Sequence, residues 1–218
     1  RALAEWLSEH RPGSTPEEFE ALFIPPDEGA EYDGGIHSLD LATIPPMLAH
    51  PGDPDKGVPS DPTNGIRVAD IGEVAIDIAY GGSCTAGKVE DFRHYVTVCA
   101  EAVAAGRKVA DGVRFYVQFG SARVQKRAVK EGWIEIFEKA GVTLLAPGCG
   151  ACIGCGPGVS DTSQQVTVSA INRNFQGRSG PGRLWLASPL TVAASAFEGC
   201  IAAFQTGMFT PQPVGAGS

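Results

Sequence analysis

Short, continuous apolar runs recur along the chain from about residue 66, and stretches with apolar residues at helical spacing separate them. Such runs are typical of strands that are buried on both faces. Strands that alternate with helices predict parallel βαβ units with right-handed crossovers, and therefore an α/β fold. The predicted strands are 74–80 (breaking at Gly81-Gly82), 113–119, 142–146, 166–170 and 184–188. The predicted helices are 88–106, one broken or two short helices over 122–141, and a last helix that starts at Pro189 and contains Cys200.

The first 65 residues have a different pattern. Leu3, Trp6 and Leu7 share one helical face, which predicts a first helix. The stretch STPEEFEALF offers a capping residue, Pro16 at a first helical position and acidic residues in the first turn, which predict a second helix. Residues 24–65 are rich in proline and glycine and predict an extended, mostly irregular segment that wraps a core. We expect a segment 1–65 and an α/β domain 66–218 that together form one compact unit.

Composition narrows the function classes. The chain has 218 residues, 43% of them hydrophobic, and a formal net charge of −8. The negative charge argues against a nucleic-acid partner, and the apolar runs are far shorter than a membrane span. No secretory signal stands at the start, and six cysteines are too few for a disulfide scaffold, so we expect a cytoplasmic protein. The chain begins RALAEW without methionine, which predicts a processed or excised piece of a longer protein.

Three loops follow predicted strands, at the position where α/β sheets bind ligands. The first contains Cys84, the second contains Cys149, Cys152 and Cys155, and the third is rich in arginine. Cysteine thiolates are the usual ligands of iron–sulfur clusters and structural zinc. A lone Cys-x-x-Cys pair also fits a redox dithiol, so these alternatives stay open from the residues alone. A further cysteine at the end of another strand favours a shared metal site.

Several stretches together point to one family. They are LDLATIPPMLAHPGDPD (39–55), SCTAGKVEDFR (83–93), PGCGACIG (147–154), INRNFQGRSGPGR (171–183) and LASPLTVAASAFEG (186–199). This set resembles the aconitase superfamily, which includes aconitase, homoaconitase and the large subunit of isopropylmalate isomerase. The resemblance covers essentially the whole chain from about residue 35. It implies that family's cluster-bearing third domain, a three-layer α/β sandwich around a mostly parallel sheet.

The resemblance also implies a [4Fe–4S] cluster held by Cys84, Cys149 and Cys152. The fourth iron would have no protein ligand and would act as a Lewis acid on the hydroxyl group of a di- or tricarboxylate substrate. Ser83 and Asn172 would lie against the cluster.

The arginine-rich loop fits such a substrate, because guanidinium groups bind carboxylates in bidentate fashion. The family pattern implies that Arg173 and Arg178 contact the substrate. Arg183 falls in a part of the loop that varies among family types.

The implied function is an iron–sulfur hydro-lyase that dehydrates, hydrates or isomerises a hydroxy di- or tricarboxylic acid. In this family the base serine belongs to a swivelling domain or small subunit, and the His/Asp acid machinery belongs to the first domains. The resemblance thus supplies no catalytic acid or base in this chain. We expect the chain to be catalytically incomplete and to require these missing domains as partners.

Two positions depart from the family pattern. Ala86 stands where members commonly have asparagine, and Cys155 stands where they rarely have cysteine. One alternative is therefore an iron–sulfur electron-transfer or sensing module in which Cys155 is the fourth ligand. A zinc-stabilised binding domain is another.

Overall fold

The computed structural model describes residues 1–53, 55, 57–58 and 64–210. The chain divides into two compact units, Arg1–Ala42 and Thr43–Ser218. Residues 54, 56 and 59–63, which belong to the predicted irregular segment, lie outside the described residues, and the first of them also belongs to the motif at 39–55.

The first unit begins with the two helices that the sequence predicts. They are α1 (Ala2–His10) and α2 (Pro16–Glu20). The Thr15 hydroxyl accepts the Glu18 N–H at 3.3 Å, and the Glu18 carboxylate accepts the Thr15 N–H at 2.9 Å. This capping box satisfies two backbone donors at the start of α2. The Arg1 guanidinium bridges the helices by pairing with Glu5 at 3.0 Å and Glu17 at 3.1 Å.

The second unit contains a sheet in which seven strands are described. They are β1 (Met47–Ala49), β2 (Gly65–Arg67), β3 (Ile78–Gly82), β4 (Arg114–Gln118), β5 (Thr143–Leu145), β6 (Val166–Ser169) and β7 (Arg183–Ala187). The order is β2-β1-β7-β6-β3-β4-β5. The five strands from β7 to β5 are parallel, whereas β1 is antiparallel to both of its neighbours. The predicted α/β fold with a mostly parallel sheet is confirmed, and the two strands at the antiparallel edge are additions to the prediction.

Five α-helices of this unit are described. They are α3 (Ser83–Ala86), α4 (Val89–Ala104), α5 (Ala122–Lys130), α6 (Trp133–Ala140) and α7 (Pro189–Glu198). The stretch 122–141 forms two short helices because Gly132 adopts the left-handed conformation between them. The last helix is shorter than predicted. It ends at Gly199, where φ is 75°, so Cys200 lies beyond the helix and not within it.

Different elements cover the two faces of the sheet. Ala79 and Val117 pack into the larger core, which also contains the buried residues of α4 to α7. The alternate residue Tyr80 packs with Ala151 and Cys152, which belong to the loop after β5. In the described part of the chain, the sheet thus lies between a layer of helices and a layer of loops.

Strand β3 continues through the glycine pair at which the sequence predicts a break. Gly81 and Gly82 lie in register with Val117 and Gln118 of β4. A Cβ atom on Gly81 would lie 2.7 Å from the Tyr95 ring, so glycine here makes room for an aromatic side chain from α4. The pair is therefore part of the buried sheet, and the loop begins only at Ser83.

Across the described residues, no helix has both the length and the apolar character that a membrane span requires.

Candidate functional site

The loops that carry the predicted site residues leave the same edge of the sheet. Strands β3, β5 and β6 are parallel, so their carboxyl ends point in one direction. Cys84 follows β3, the cysteine loop (residues 147–158) follows β5, and the arginine loop (residues 171–182) follows β6. The topology confirms that the three loops begin at this edge, which is where α/β sheets bind ligands.

Cys84 lies in the one-turn helix α3 and is exposed. The residue before it, Ser83, is buried and has a φ of 62°, a conformation that costs roughly 1–3 kcal/mol for a residue other than glycine. Its hydroxyl oxygen is buried without a hydrogen-bond partner among the described residues. The turn therefore places a strained backbone and an unsatisfied polar atom beside the predicted ligand.

Tyr95 of α4 fastens both ends of this turn. Its hydroxyl accepts the Gly82 N–H at 3.0 Å and donates to the Ala86 carbonyl at 3.2 Å. Burial strongly raises the pKa of Tyr95, so the group remains a protonated donor across the ordinary pH range. Ala86 thus takes part through its backbone, while its buried methyl group offers no polar contact.

The cysteine loop contains a 3-10 turn, Ala151–Ile153, that buries Cys152 and leaves Cys149 and Cys155 exposed. The Gly150 carbonyl accepts the backbone N–H groups of Ile153 at 2.9 Å and Cys155 at 3.2 Å. The Cys155 thiol lies 3.7 Å from the same oxygen. Cys155 is thereby part of the turn that shapes the loop.

Serine side chains join the arginine loop to the cysteine loop. The Ser179 hydroxyl donates to the Ala151 carbonyl at 2.5 Å. The Ser179 carbonyl in turn accepts the N–H of Ser160 at 2.9 Å and its hydroxyl at 3.0 Å. Gly182 also donates its N–H to the Ser160 hydroxyl at 2.8 Å. The two loops are therefore one hydrogen-bonded structure.

The arginine loop brings two of its predicted residues together. The Arg178 side chain is half-buried, donates to the Asn172 side-chain oxygen at 3.5 Å and lies over the Phe175 ring at 5.5 Å. Its Nε–H is buried without a hydrogen-bond acceptor in the described part of the chain. Arg173 is exposed, and no ion pair of its side chain is present among the described residues. The loop thus presents positive charge for which the described residues include no acidic partner.

The three predicted ligands are present on two loops at the same edge of the sheet, but their sulfur atoms are not close enough together to share a metal ion. Across the described residues, no group of three His, Cys, Asp or Glu side chains is close enough to hold a metal ion. The chemistry of the donor set nevertheless fits an iron–sulfur cluster, because Cys84, Cys149 and Cys152 supply three thiols and no carboxylate or imidazole competes within these loops. Glycine-rich backbone around two of the thiols permits small shifts of the loop.

Comparison with known proteins assigns the family. The family model of the aconitase family (aconitate hydratase) matches residues 2–199. The chain belongs to the aconitase family. The resemblance that the sequence motifs indicate is therefore confirmed.

Curated relatives of this aconitase-family chain include 3-isopropylmalate dehydratase large subunits. The one from Roseiflexus castenholzii is 38% identical over 203 residues, which cover 82% of this chain and 42% of that protein. Large subunit 1 of Methanopyrus kandleri is 38% identical over 178 residues, covering 81% and 39% respectively. The Pyrococcus horikoshii protein is 38% identical over 177 residues, covering 78% and 42%. The chain thus spans less than half the length of these relatives.

Arg183 belongs to a different element from the other two arginines. It begins β7 and lines a cleft of about 600 Å³ with His50, Asn174, Phe175 and Trp185 among others. None of the three predicted ligands lines that cleft. Asn174 fastens the arginine loop there, because its side-chain amide donates to the carbonyls of Ala49 and His50 at 3.3 and 2.5 Å.

Sequence reasoning missed the residues that hold the loops in place. Tyr80 stands in an apolar run and looks like an ordinary core residue, and Ser160 and Ser179 look like loop serines. The one usable signal was the polar Gln118 at the end of an otherwise apolar strand, because a buried amide requires hydrogen-bond partners. Its partners come from β3 and from the end of β5, which are distant along the chain.

Replacing Ser179 by alanine is expected to lower the free energy of unfolding by about 0.5–1.5 kcal/mol, because the Ala151 carbonyl loses its hydroxyl donor and keeps only the Gly154 N–H. Urea denaturation of the purified chain measures the change. Ser163→Ala is the matched control, since Ser163 is exposed in a neighbouring loop and should change stability by less than about 0.5 kcal/mol. Equal stability of the two variants would contradict this role of Ser179.

Proposed function

We propose that this chain is the cluster-bearing part of an aconitase-type hydro-lyase, with Cys84, Cys149 and Cys152 as ligands of a [4Fe–4S] cluster. The observation that carries the proposal is that the Cys84 turn and the cysteine loop both follow the carboxyl ends of strands at one edge of a parallel sheet, in a chain of the aconitase family. In this proposal residues 66–218 form the cluster-binding domain, and β1 from the preceding segment pairs with its strand β7.

When bound, a cluster with one iron that lacks a cysteine ligand supplies a Lewis acid for a substrate hydroxyl group. The chain's own part is to hold three thiolates and to leave the fourth position open. Cys155 is not a ligand in this proposal. Its backbone and thiol are directed at the Gly150 carbonyl, which gives it a role in the turn itself.

Arg173 and Arg178 bind and orient the substrate's carboxylates. Support comes from the lack of an acidic partner for either guanidinium in the described residues and from the buried, unpaired Nε–H of Arg178. Asn172 holds Arg178, and both Asn172 and Ser83 provide polar groups beside the cluster. The relatives' names point to a hydroxy dicarboxylic acid of the 3-isopropylmalate type as substrate.

The catalytic acid and base belong to parts of the enzyme outside this chain. The relatives are named as large subunits and are more than twice as long as the matched region. We therefore propose that the working enzyme contains additional domains and a small subunit, and that this chain alone has no turnover. The free cysteines fit a reducing compartment such as the cytoplasm.

The proposal is tested by anaerobic reconstitution of the purified chain with ferrous iron and sulfide. We expect the chain to bind iron and acid-labile sulfide in equal amounts and to show the broad visible absorption of an iron–sulfur cluster. We expect no hydratase activity until the missing domains and small subunit are added. Zinc without sulfide would contradict the proposal and favour a zinc-stabilised binding domain.

A second outcome separates the enzyme from an electron-transfer or sensing module. If the cluster assembles only when Cys155 is present, all of its irons have cysteine ligands and the hydro-lyase proposal fails. If the cluster assembles without Cys155, one iron is open and the proposal is supported.

A further inference from the structure

A buried pair of polar side chains lies beneath the cysteine loop. Tyr80 of β3 is 1% exposed and Gln118 of β4 is 4% exposed. The Tyr80 hydroxyl donates to the Gln118 side-chain oxygen at 2.6 Å, and the Gln118 amide donates to the Ala146 carbonyl at 3.2 Å. The pair thereby connects two strands to the residue that immediately precedes the cysteine loop.

The same tyrosine also lies close to two glycines of the loop. A Cβ atom on Gly150 would lie 3.1 Å from the Tyr80 hydroxyl oxygen, and one on Gly158 would lie 2.4 Å from a ring carbon. The loop backbone therefore wraps closely around this side chain, and glycine at these positions permits that approach.

The electrostatics of Tyr80 agree with this position. Burial is the main cause that raises the pKa of Tyr80, and the negative charge of Cys152 and Cys155 in their thiolate forms raises it further. The backbone N–H of Ala151 acts in the opposite direction. These groups lie between and beside the two predicted ligands of the loop, so the phenol oxygen is a polar neighbour of that part of the site.

We propose that Tyr80, held in orientation by Gln118, is a positioning residue that fixes the cysteine loop and sets the polar surroundings of Cys152. The inference rests on the proposed function, since its consequence is a cluster that assembles on a prearranged loop and is retained there. Phenylalanine in place of Tyr80 has no hydroxyl group, so the Gln118 side-chain oxygen would be buried without this donor. The loop would then open more often and expose Cys152.

The chain offers a matched control for this residue. Tyr116 of β4 lies in register beside Tyr80, and its side chain packs against the same small core. No hydrogen bond of its hydroxyl is present in the described part of the chain. Tyr80→Phe and Tyr116→Phe therefore remove the same atom from neighbouring positions, but only the first removes a hydrogen bond.

The first experiment measures how fast iodoacetamide labels Cys152 in the chain without cluster, with tandem mass spectrometry to resolve the three cysteines of the loop. We expect labelling about tenfold faster in Tyr80→Phe and within about twofold of wild type in Tyr116→Phe. Circular dichroism verifies that both variants are folded at the temperature of the labelling experiment. Equal labelling rates in the two variants would overturn the proposal.

The second experiment uses the reconstituted chain and measures the rate of sulfide release in air and the midpoint potential of the cluster. Tyr80→Phe is expected to release sulfide several-fold faster and to shift the potential, whereas Tyr116→Phe should do neither. A purely structural role would lower thermal stability without changing the potential of the folded chain, and that result would also overturn the proposal.

Gln118→Met supplies a second route to the same answer. It removes the amide while keeping a side chain of similar length, and it should reproduce the labelling effect of Tyr80→Phe. The double variant should label no faster than either single variant, because both changes interrupt one chain of hydrogen bonds. Additive effects would contradict the pairing.

Because labelling needs no cluster, a chain that fails to take up iron would refute the proposed function while leaving this test intact.

Discussion

Replacing Cys84 by serine is expected to reduce the iron and sulfide bound after reconstitution to less than about a tenth of the wild-type amounts. The cluster would lose its only ligand from the loop after β3, and the hydroxyl group of serine is a poor substitute for a thiolate. The same result is expected for Cys149→Ser and Cys152→Ser. Iron and acid-labile sulfide per folded chain are the quantities to measure.

Cys155→Ser is the matched control for this prediction. Cys84 and Cys155 are both exposed, so the two substitutions should have similarly small effects on the free energy of unfolding. We expect Cys155→Ser to retain most of the bound iron and sulfide. Retention of the cluster in Cys84→Ser, or its loss in Cys155→Ser, would show that the ligand assignment is wrong.

Gly82→Ala is expected to lower the free energy of unfolding by at least about 4 kcal/mol. Gly82 has a φ of 92°, and a Cβ atom there would lie 1.9 Å from the Gln118 carbonyl oxygen. Neither the backbone of β4 nor that of β3 can move without disturbing the centre of the sheet. The loss is comparable to the total stability of many domains, so much of the chain should be unfolded.

Gly106→Ala separates the clash from the effect of backbone conformation. Gly106 has a φ of 73°, and a Cβ atom there would have no other group within 4 Å among the described residues. Its replacement should cost only about 1–2 kcal/mol. Urea denaturation of both variants measures the difference, and similar losses in the two would contradict the close packing of β3 against β4 at Gly82.

Most of the parallel sheet could be predicted from the sequence, because strands buried on both faces must be apolar throughout. The strands β1 and β2 could not, since each has three residues and depends on pairing with distant chain. The glycine pair in β3 looked like a break because glycine usually weakens strands. Here it admits the Tyr95 ring, a contact between residues more than ten positions apart.

The candidate site was predictable as a set of residues but not as an arrangement. Parallel strand ends implied that Cys84 and the cysteine loop leave one edge of the sheet, and the family resemblance supplied the ligand assignment. Tyr80, Gln118 and Ser179 were not predicted, because their roles depend on hydrogen bonds across 28 to 38 positions of sequence. Such contacts leave no periodic pattern.

The most direct test of a three-cysteine cluster with one open iron is the electron paramagnetic resonance spectrum of the reduced, reconstituted chain with and without 3-isopropylmalate. A hydroxy acid that reaches an iron without a protein ligand changes the surroundings of that iron, so the signal should shift. The corresponding dicarboxylic acid without the hydroxyl group should leave it unchanged. The account would be contradicted if the spectrum were identical under all three conditions and the cluster were lost when Cys155 is replaced.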